Sequence, residues 1–149
     1  FEIQALTTRS SFGMPRRTAV GYDYNRVNLI MAVIEKRMGL TMGDYDAYVN
    51  IAGGIRISEP SVDLGLVLAL VSSFKNRPVS DDVMAFGEVG LSGEVRSVSM
   101  PGKRINEAVK MGVKTIVLPE SCLSSVEEIP AGVELIGVKG IREACDKVI

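Results

Sequence analysis

The sequence contains no histidine. That absence removes a Ser-His-Asp triad, a Cys-His pair and any imidazole metal site. Only two cysteines occur, Cys122 and Cys145, well apart in the chain. They make neither zinc-ligand spacing nor a disulfide framework, so both read as reduced thiols of a cytoplasmic protein. Cys145 falls on an apolar helix face and reads as a core residue. No apolar run approaches the ~20 residues needed to cross a bilayer. The net charge of −1 gives no overall pull toward nucleic acid or anionic membrane. Any catalysis here has to use serine, lysine and carboxylates, with no metal.

What is present is ordinary for a globular chain: 149 residues, 46% hydrophobic and 23% charged. That is one domain with room for a sizeable core. The opening Phe-Glu-Ile-Gln-Ala-Leu has neither a start methionine nor a signal peptide, and reads as the beginning of a domain cut from a longer chain.

Residues 54 to 75 organise the rest. A short extended piece ends, a turn carries Ser58, Glu59, Pro60 and Ser61, and Leu64 to Val71 has no polar side chain. Bounded by Pro60 and Lys75, the segment reads as a helix of about four turns, buried on all sides. Its N-terminus gathers unpaired N–H groups and partial positive charge around Ser61.

Around it, residues 2 to 8 and Thr18 to Asp23 read as an antiparallel strand pair joined by the Arg9-Ser-Ser-Phe-Gly-Met-Pro loop. Val27, Ile30, Met31, Ile34 and Met38 fall at helical spacing, with Gly39 as the stop. Tyr45 to Ala52 read as a strand, Gly53-Gly54 as a break, and Ile55 to Ile57 as a short extended piece. Val83 to Phe86 and Val95 to Ser99 read as a hairpin with a glycine-punctuated turn. Then come a helix from Lys103 to Gly112, a strand from Lys114 to Leu118, a helical turn and loop over Glu120 to Ile129, a strand from Glu134 to Val138, and a last helix marked by Ile141, Ala144, Cys145 and Val148. A β-rich first half followed by β-α-β-α argues an α+β two-layer sandwich rather than a doubly wound sheet.

No nucleotide motif emerges. Gly87, Gly90 and Gly93 have the wrong spacing for a dinucleotide fingerprint and open no helix, and Pro101-Gly-Lys-Arg is not a Walker A sequence. Ser61 is the sharp candidate, because a lysine can activate a serine without histidine. Its bland alternative is a helix start, with Ser58 as N-cap, Pro60 in the first turn and Ser61 at the third position. Lys103 is the nearest lysine by position, with pairing to Glu107 as its bland reading. Arg9, Arg16, Arg17 and Arg26 form one basic group, and Lys103, Arg104, Lys110 and Lys114 a second. Either could contact a phosphate backbone; scattered surface charge is the alternative.

Several motifs in order resemble the C-terminal domain of the bacterial RadA (Sms) family of DNA repair proteins. They are Gly-Glu-Val-Gly-Leu-Ser-Gly-Glu-Val-Arg, Arg-Ile-Asn-Glu-Ala-Val-Lys-Met-Gly, Lys-Thr-Ile-Val-Leu-Pro, Asp23-Tyr-Asn-Arg-Val and Ser58-Glu-Pro-Ser-Val-Asp-Leu. The resemblance covers essentially the whole chain, so residues 1–149 are expected to be a single domain. That domain is similar to the proteolytic domain of Lon proteases, an α+β sandwich of the ribosomal-protein domain-2-like type.

Lon proteases use a Ser-Lys dyad, with the serine in a Pro-Ser-Ala-Gly context. Pro60-Ser61 matches that serine, while Val62-Asp63 replace Ala-Gly. The Lon lysine lies in a Gly-Gly-Leu-Lys-Glu-Lys stretch. Counting back from Val-Leu-Pro places Gly102 at its position and Lys103 one place later, a rotation of about 100° on a helix. The resemblance therefore implies a protease-like fold with a vestigial serine and a displaced lysine. It further implies membership of a hexameric DNA-dependent ATPase acting in recombination and branch migration. ATP, Mg and Zn are expected only in a RecA-like ATPase module and a zinc-binding module outside this segment, and no cofactor within it. Expected partners are further copies of the chain in a ring, and DNA. A Ser-Lys peptidase and a plain protein-interaction module remain the alternatives.

Overall fold

The computed structural model describes residues 2–11, 13–52 and 59–149. The expected Gly53-Gly54 break, the extended piece at Ile55 to Ile57 and the Ser58 N-cap lie outside the described residues.

The first half is a three-stranded sheet with one helix. β1 (Glu2–Arg9) alternates exposed and half-buried residues along most of its length. β2 (Arg17–Val20) follows, and Gly21 turns the chain at φ 85°. α1 (Tyr24–Met38) begins where the Asp23 carboxylate accepts the Asn25 N–H, and ends where left-handed Gly39 returns its N–H to the Glu35 carbonyl. Val27, Ile30, Met31, Ile34 and Met38 are all buried, as their spacing predicts. β3 (Tyr45–Ala52) then takes the middle of the sheet, in the order β1-β3-β2.

The expected antiparallel pairing of the first two strands is not found. β1 pairs antiparallel with β3 along its whole length, and β2 pairs with β3 in parallel. The reason lies in burial and anchoring. Ala47, Val49 and Ile51 are buried, so β3 needs neighbours on both edges. The Arg16 N–H binds the Asp46 carboxylate at 2.7 Å and its carbonyl accepts from Ala47, which fixes β2 beside β3.

The central helix is a 3-10 turn, Pro60–Val62, running into α2 (Asp63–Lys75). Leu64, Leu66, Val67, Leu68, Leu70 and Val71 are buried, packed against β1, α1 and the last helix. The start differs from the expected one: Glu59 flanks the 3-10 turn and Val62 flanks α2, neither with a side-chain cap.

In the second half, β4 (Val83–Ala85) is followed by the two-residue strands β5 (Glu88–Val89) and β6 (Val95–Arg96), then by α3 (Pro101–Lys110). β7 (Thr115–Pro119), a 3-10 turn at Glu120–Ser125, β8 (Glu134–Val138) and α4 (Ile141–Val148) complete the chain. The expected long hairpin divides. β4 joins a parallel sheet of order β4-β7-β8, while only β5 and β6 pair antiparallel. Gly87 causes the division: its N–H binds the Ser61 carbonyl and its carbonyl accepts from Leu64, so the chain leaves β4 to dock on the start of α2.

The product is an α+β arrangement of sheets and helices around α2. A smaller apolar cluster lies under α3, made of Phe86, Ile105, Ala108, Ile116, Leu118 and Cys122.

Candidate functional site at the start of the central helix

The turn before α2 offers three polar side chains at alternate positions, Glu59, Ser61 and Asp63, and arginines from two different helices reach them. Ser61 is 5% exposed. Its Oγ accepts a hydrogen bond of 3.3 Å from Nη1 of Arg104, on α3. The same guanidinium donates from Nε to the Ser99 carbonyl at 2.9 Å and pairs through Nη2 with the Glu59 carboxylate. It stands over the Phe86 ring, 6.0 Å from the centroid. A hydrogen bond from the Ser61 side chain, and then Arg104, hold the Glu59 carboxyl below its ordinary value, against the opposing effect of partial burial.

Ser61 is thus engaged on both sides by ionised groups. A guanidinium keeps its proton at any pH a folded protein meets, so Arg104 cannot take the hydroxyl proton as a lysine amine could. The backbone is occupied as well. The N–H groups of Val62, Asp63 and Leu64 go to the carbonyls of Glu59, Pro60 and Gly87. None of these three amides is left to stabilise a developing oxyanion.

Asp63 is wholly buried and takes four hydrogen bonds. The Tyr22 hydroxyl donates at 2.8 Å and Arg26 Nε at 3.1 Å to one oxygen; Arg26 Nη2 and the Val89 N–H, the latter at 3.1 Å, reach the other. Burial, then the neighbouring Asp63 carboxylate, push the Tyr22 phenol well above its ordinary range. This network ties the strand end before α1, α1 itself, α2 and β5 to one carboxylate.

Lys103, the expected partner of Ser61, is exposed on α3 and is not among Ser61's hydrogen-bond partners. Gly102 has open space around the position a Cβ would take, so nothing steric excludes a longer side chain there. The expected Lys103–Glu107 pair is replaced by Glu107 with Lys110, at 3.6 Å.

Of the first basic group, Arg9 and Arg16 are exposed, Arg9 pairing with Asp44 at 3.5 Å. Arg17 is half-buried and donates to the carbonyls of Tyr45 and Met42. Arg26 keeps 27% of its side chain exposed beside Asp63. In the second group Lys103, Lys110 and Lys114 are exposed, and Arg104 turns inward to Ser61. The amides of Gly87, Gly90 and Gly93 bind the carbonyls of Ser61, Glu94 and Gly90, which leaves no phosphate cradle among them.

Arg104 as the partner of Ser61, and Asp63 as the anchor of Arg26, were not read from the sequence. An aspartate opening a wholly apolar helix was the available signal, since a buried charge requires a partner.

A groove of about 1450 Å³ runs beside this site, with Ile3 and Ala5 of β1, Ala69 of α2, and Met100, Arg104 and Met111 among its lining residues. Among the described residues, no group of acidic residues and cysteines could hold a metal ion, and no helix is long and apolar enough to cross a membrane.

This α+β frame, with a buried serine at the start of its central helix, is protease-like in fold. Residues 21–148 match the Lon protease (S16) C-terminal proteolytic domain, and the chain belongs to that family. Its relatives include proteins named DNA repair protein RadA. That of Halalkalibacterium halodurans is 46% identical over 145 residues, covering 97% of this chain and 32% of the relative. The Bacillus subtilis protein is 48% identical over 143 residues, covering 96% and 31%. That of Streptococcus pneumoniae is 44% identical over 147 residues, covering 99% and 35%. The matched region is the C-terminal part of these proteins, and the chain spans about a third of their length.

Proposed function

We propose that this chain is a non-catalytic assembly and DNA-contacting scaffold domain of a hexameric DNA-dependent ATPase that acts in recombination and DNA repair, including branch migration. ATP, Mg and Zn then belong to parts of the parent protein outside this segment, and the protein works in the cytoplasm. The observation that carries the non-catalytic half is the Ser61–Arg104 contact, in which a guanidinium stands where a base would have to be. The occupied amides of Val62, Asp63 and Leu64 support the same reading. The DNA half is supported by the name of the relatives, DNA repair protein, and by the exposed cations Arg9, Arg16, Lys103 and Lys110.

Two measurements test it. Incubated with an unfolded protein substrate, the chain should release peptides no faster than its Ser61→Ala variant; turnover abolished by that substitution would restore the peptidase reading. Titrated with fluorescent DNA, it should bind weakly, with affinity falling as salt rises. Arg16→Ala should lower that affinity at unchanged thermal stability. Arg17→Ala should lower it too, though the fold also loses the Arg17 contacts to Tyr45 and Met42. Binding indifferent to both salt and Arg16 would remove the DNA half and leave a plain interaction module.

A further inference from the structure

β1 lies at the rim of its sheet, and alternation fixes which of its backbone groups point away from β3. The Ser10 N–H turns toward β3 and binds the Asp44 carbonyl at 2.9 Å. The Thr7 N–H turns the other way and binds Ser73 Oγ of α2, also at 2.9 Å. Odd positions of the strand therefore face outward, so the N–H and C=O groups of Ile3 and Ala5 point the same way as those of Thr7. Among the described residues, neither the Ile3 nor the Ala5 N–H has a partner on that side. Ser73 guards one end of the edge. The first half of β1 has no proline, lysine or bulge to blunt it, and such an edge accepts a further strand.

This unguarded half opens into the groove of about 1450 Å³, which Glu2, Ile3, Gln4 and Ala5 line on one side. The other wall is the edge of β4. There the Phe86 N–H goes to the Val117 carbonyl and the Thr115 N–H to the Asp82 carbonyl, so even positions serve β7 and the Ala85 backbone faces the groove. The two walls converge on Gly65 of α2, where a Cβ would meet Ile3 Cδ1 at 2.8 Å and the Ala85 carbonyl oxygen at 3.7 Å. Ala69 and Met84 lie half-buried in the lining, and Met111 stands 79% exposed on the α3 side. An open backbone edge beside apolar side chains is the chemistry that receives an extended polypeptide strand.

Connectivity selects the strand. The chain matches the C-terminal part of relatives of which it spans about a third, so a parent of that kind carries residues directly before Phe1. Those residues reach the fold at Glu2, which itself lines the groove. A strand joined there by a short turn runs antiparallel along β1 without a crossover, and consecutive strands pair in most sheets. Being tethered, it also has an effective concentration on the order of millimolar, which a strand from another molecule has to exceed. We propose that the residues directly preceding Phe1 in the parent protein form a strand that pairs antiparallel with the free edge of β1 and fills this groove. The proposal rests on the reading of this chain as one domain of a longer protein. Covering Ile3 and Ala5 takes roughly four or five residues, with apolar side chains at the alternate positions that face Ala69, Met84 and Met111.

Hydrogen exchange in the full-length parent, read against the 149-residue chain, tests it. The Ile3 and Ala5 amides should exchange ~100-fold or more slowly in the parent than in the shorter chain. The Thr7 amide, already bound to Ser73, should be protected in both. Replacing the residues directly before Phe1 by a Gly-Ser linker should return Ile3 and Ala5 to the rates of the shorter chain. Ala5→Pro removes one outward donor and leaves the bonds to β3 in place, at an edge position that tolerates proline. It should shift the urea midpoint of the 149-residue chain little, and in the parent it should abolish the protection of Ile3. Exchange at Ile3 and Ala5 that is equally fast in parent and chain overturns the proposal. Protection that survives the linker replacement, or that grows with protein concentration, overturns it as well and assigns the groove to a strand from elsewhere. Neither failure bears on the Ser61→Ala assay or the salt-dependent DNA titration, which test the proposed function separately.

Discussion

The Arg26 guanidinium grips the Asp63 carboxylate with two N–H groups, Nε on one oxygen and Nη2 on the other, while Arg26 also donates to the Val89 carbonyl at 3.1 Å. Arg26 belongs to α1 and Asp63 to the first turn of α2, so a charge pair joins the two helices at the buried end of the peptidase-like site. A carboxylate with no solvent contact has only these partners to replace its hydration.

Removing either member should therefore cost far more than a surface pair would. Arg26→Ala and Asp63→Ala should each lower the free energy of unfolding by about 3–5 kcal/mol in urea titrations, because each strands the other charge. The double variant Arg26→Met with Asp63→Leu should lose much less than the sum of the two single losses. Strict additivity would show that the pair is not coupled.

Gly21 is under two constraints at once. Its φ is 85°, and a Cβ placed there would lie 2.4 Å from the Ile51 carbonyl oxygen. Gly21→Ala should thus lower stability by ~3 kcal/mol or more, well beyond a left-handed strain of about 1–2 kcal/mol. Gly112 has a similar φ of 86° but open space around it, and Gly112→Ala should show the conformational strain alone. Equal melting temperatures for the two variants would refute the steric part.

Glu59 gives a signed pH dependence. The Ser61 hydrogen bond and Arg104 depress its carboxyl in the folded state, so its contribution is complete above the ordinary value of 4.5 and is lost as pH falls through the lower folded value. The Glu59 side chain is 43% exposed, which limits the effect to below ~1 kcal/mol. Urea midpoints of the wild type and Glu59→Gln should differ at pH 7 and converge toward pH 3. A gap that widens in acid would reverse the sign.

Cys145 titrates in the opposite direction. Burial raises its thiol from 9.0 to about 11. Its contribution to stability is present below pH 9 and fades as pH rises toward 11. Reaction with an aromatic disulfide reagent at pH 8 should be slow in the native chain and should accelerate with urea in step with unfolding. Fast labelling of Cys145 before any unfolding would contradict the burial.

Helices were the most legible part of the sequence, since a single helix carries its own periodicity. The apolar spacing and Gly39 of α1, and the long apolar run of α2, needed no knowledge of their neighbours. β8 falls on its expected residues for a similar reason, a short apolar run between polar segments. Strand partners were not legible. β2 reads as half of a local hairpin until β3, almost thirty residues later, shows three buried positions that need neighbours on both edges. Gly87 resembled turn punctuation, yet its N–H and carbonyl both serve the start of α2, a contact across more than twenty residues.

The site was legible in position and not in partner. Pro60-Ser61 marked the right turn. A serine base calls for a lysine, whereas the residue that reaches Ser61 is Arg104, which the sequence groups with the surface cations. The longer arginine side chain reaches back from the next residue of α3 and ends on Ser61. Side-chain reach of that kind leaves no trace in spacing.

The pairing of β1 with β3 also sets an order of events. Residues 10–44, with β2 and α1 among them, lie between the two strands. A chain made from its N-terminus carries β1 with its β3 edge uncovered until residue 52 has emerged. Closing so long a loop is entropically slow compared with forming a hairpin. Strand β1 thus waits through residues 10–44 for its partner, and in that interval it is open to pairing with the wrong one.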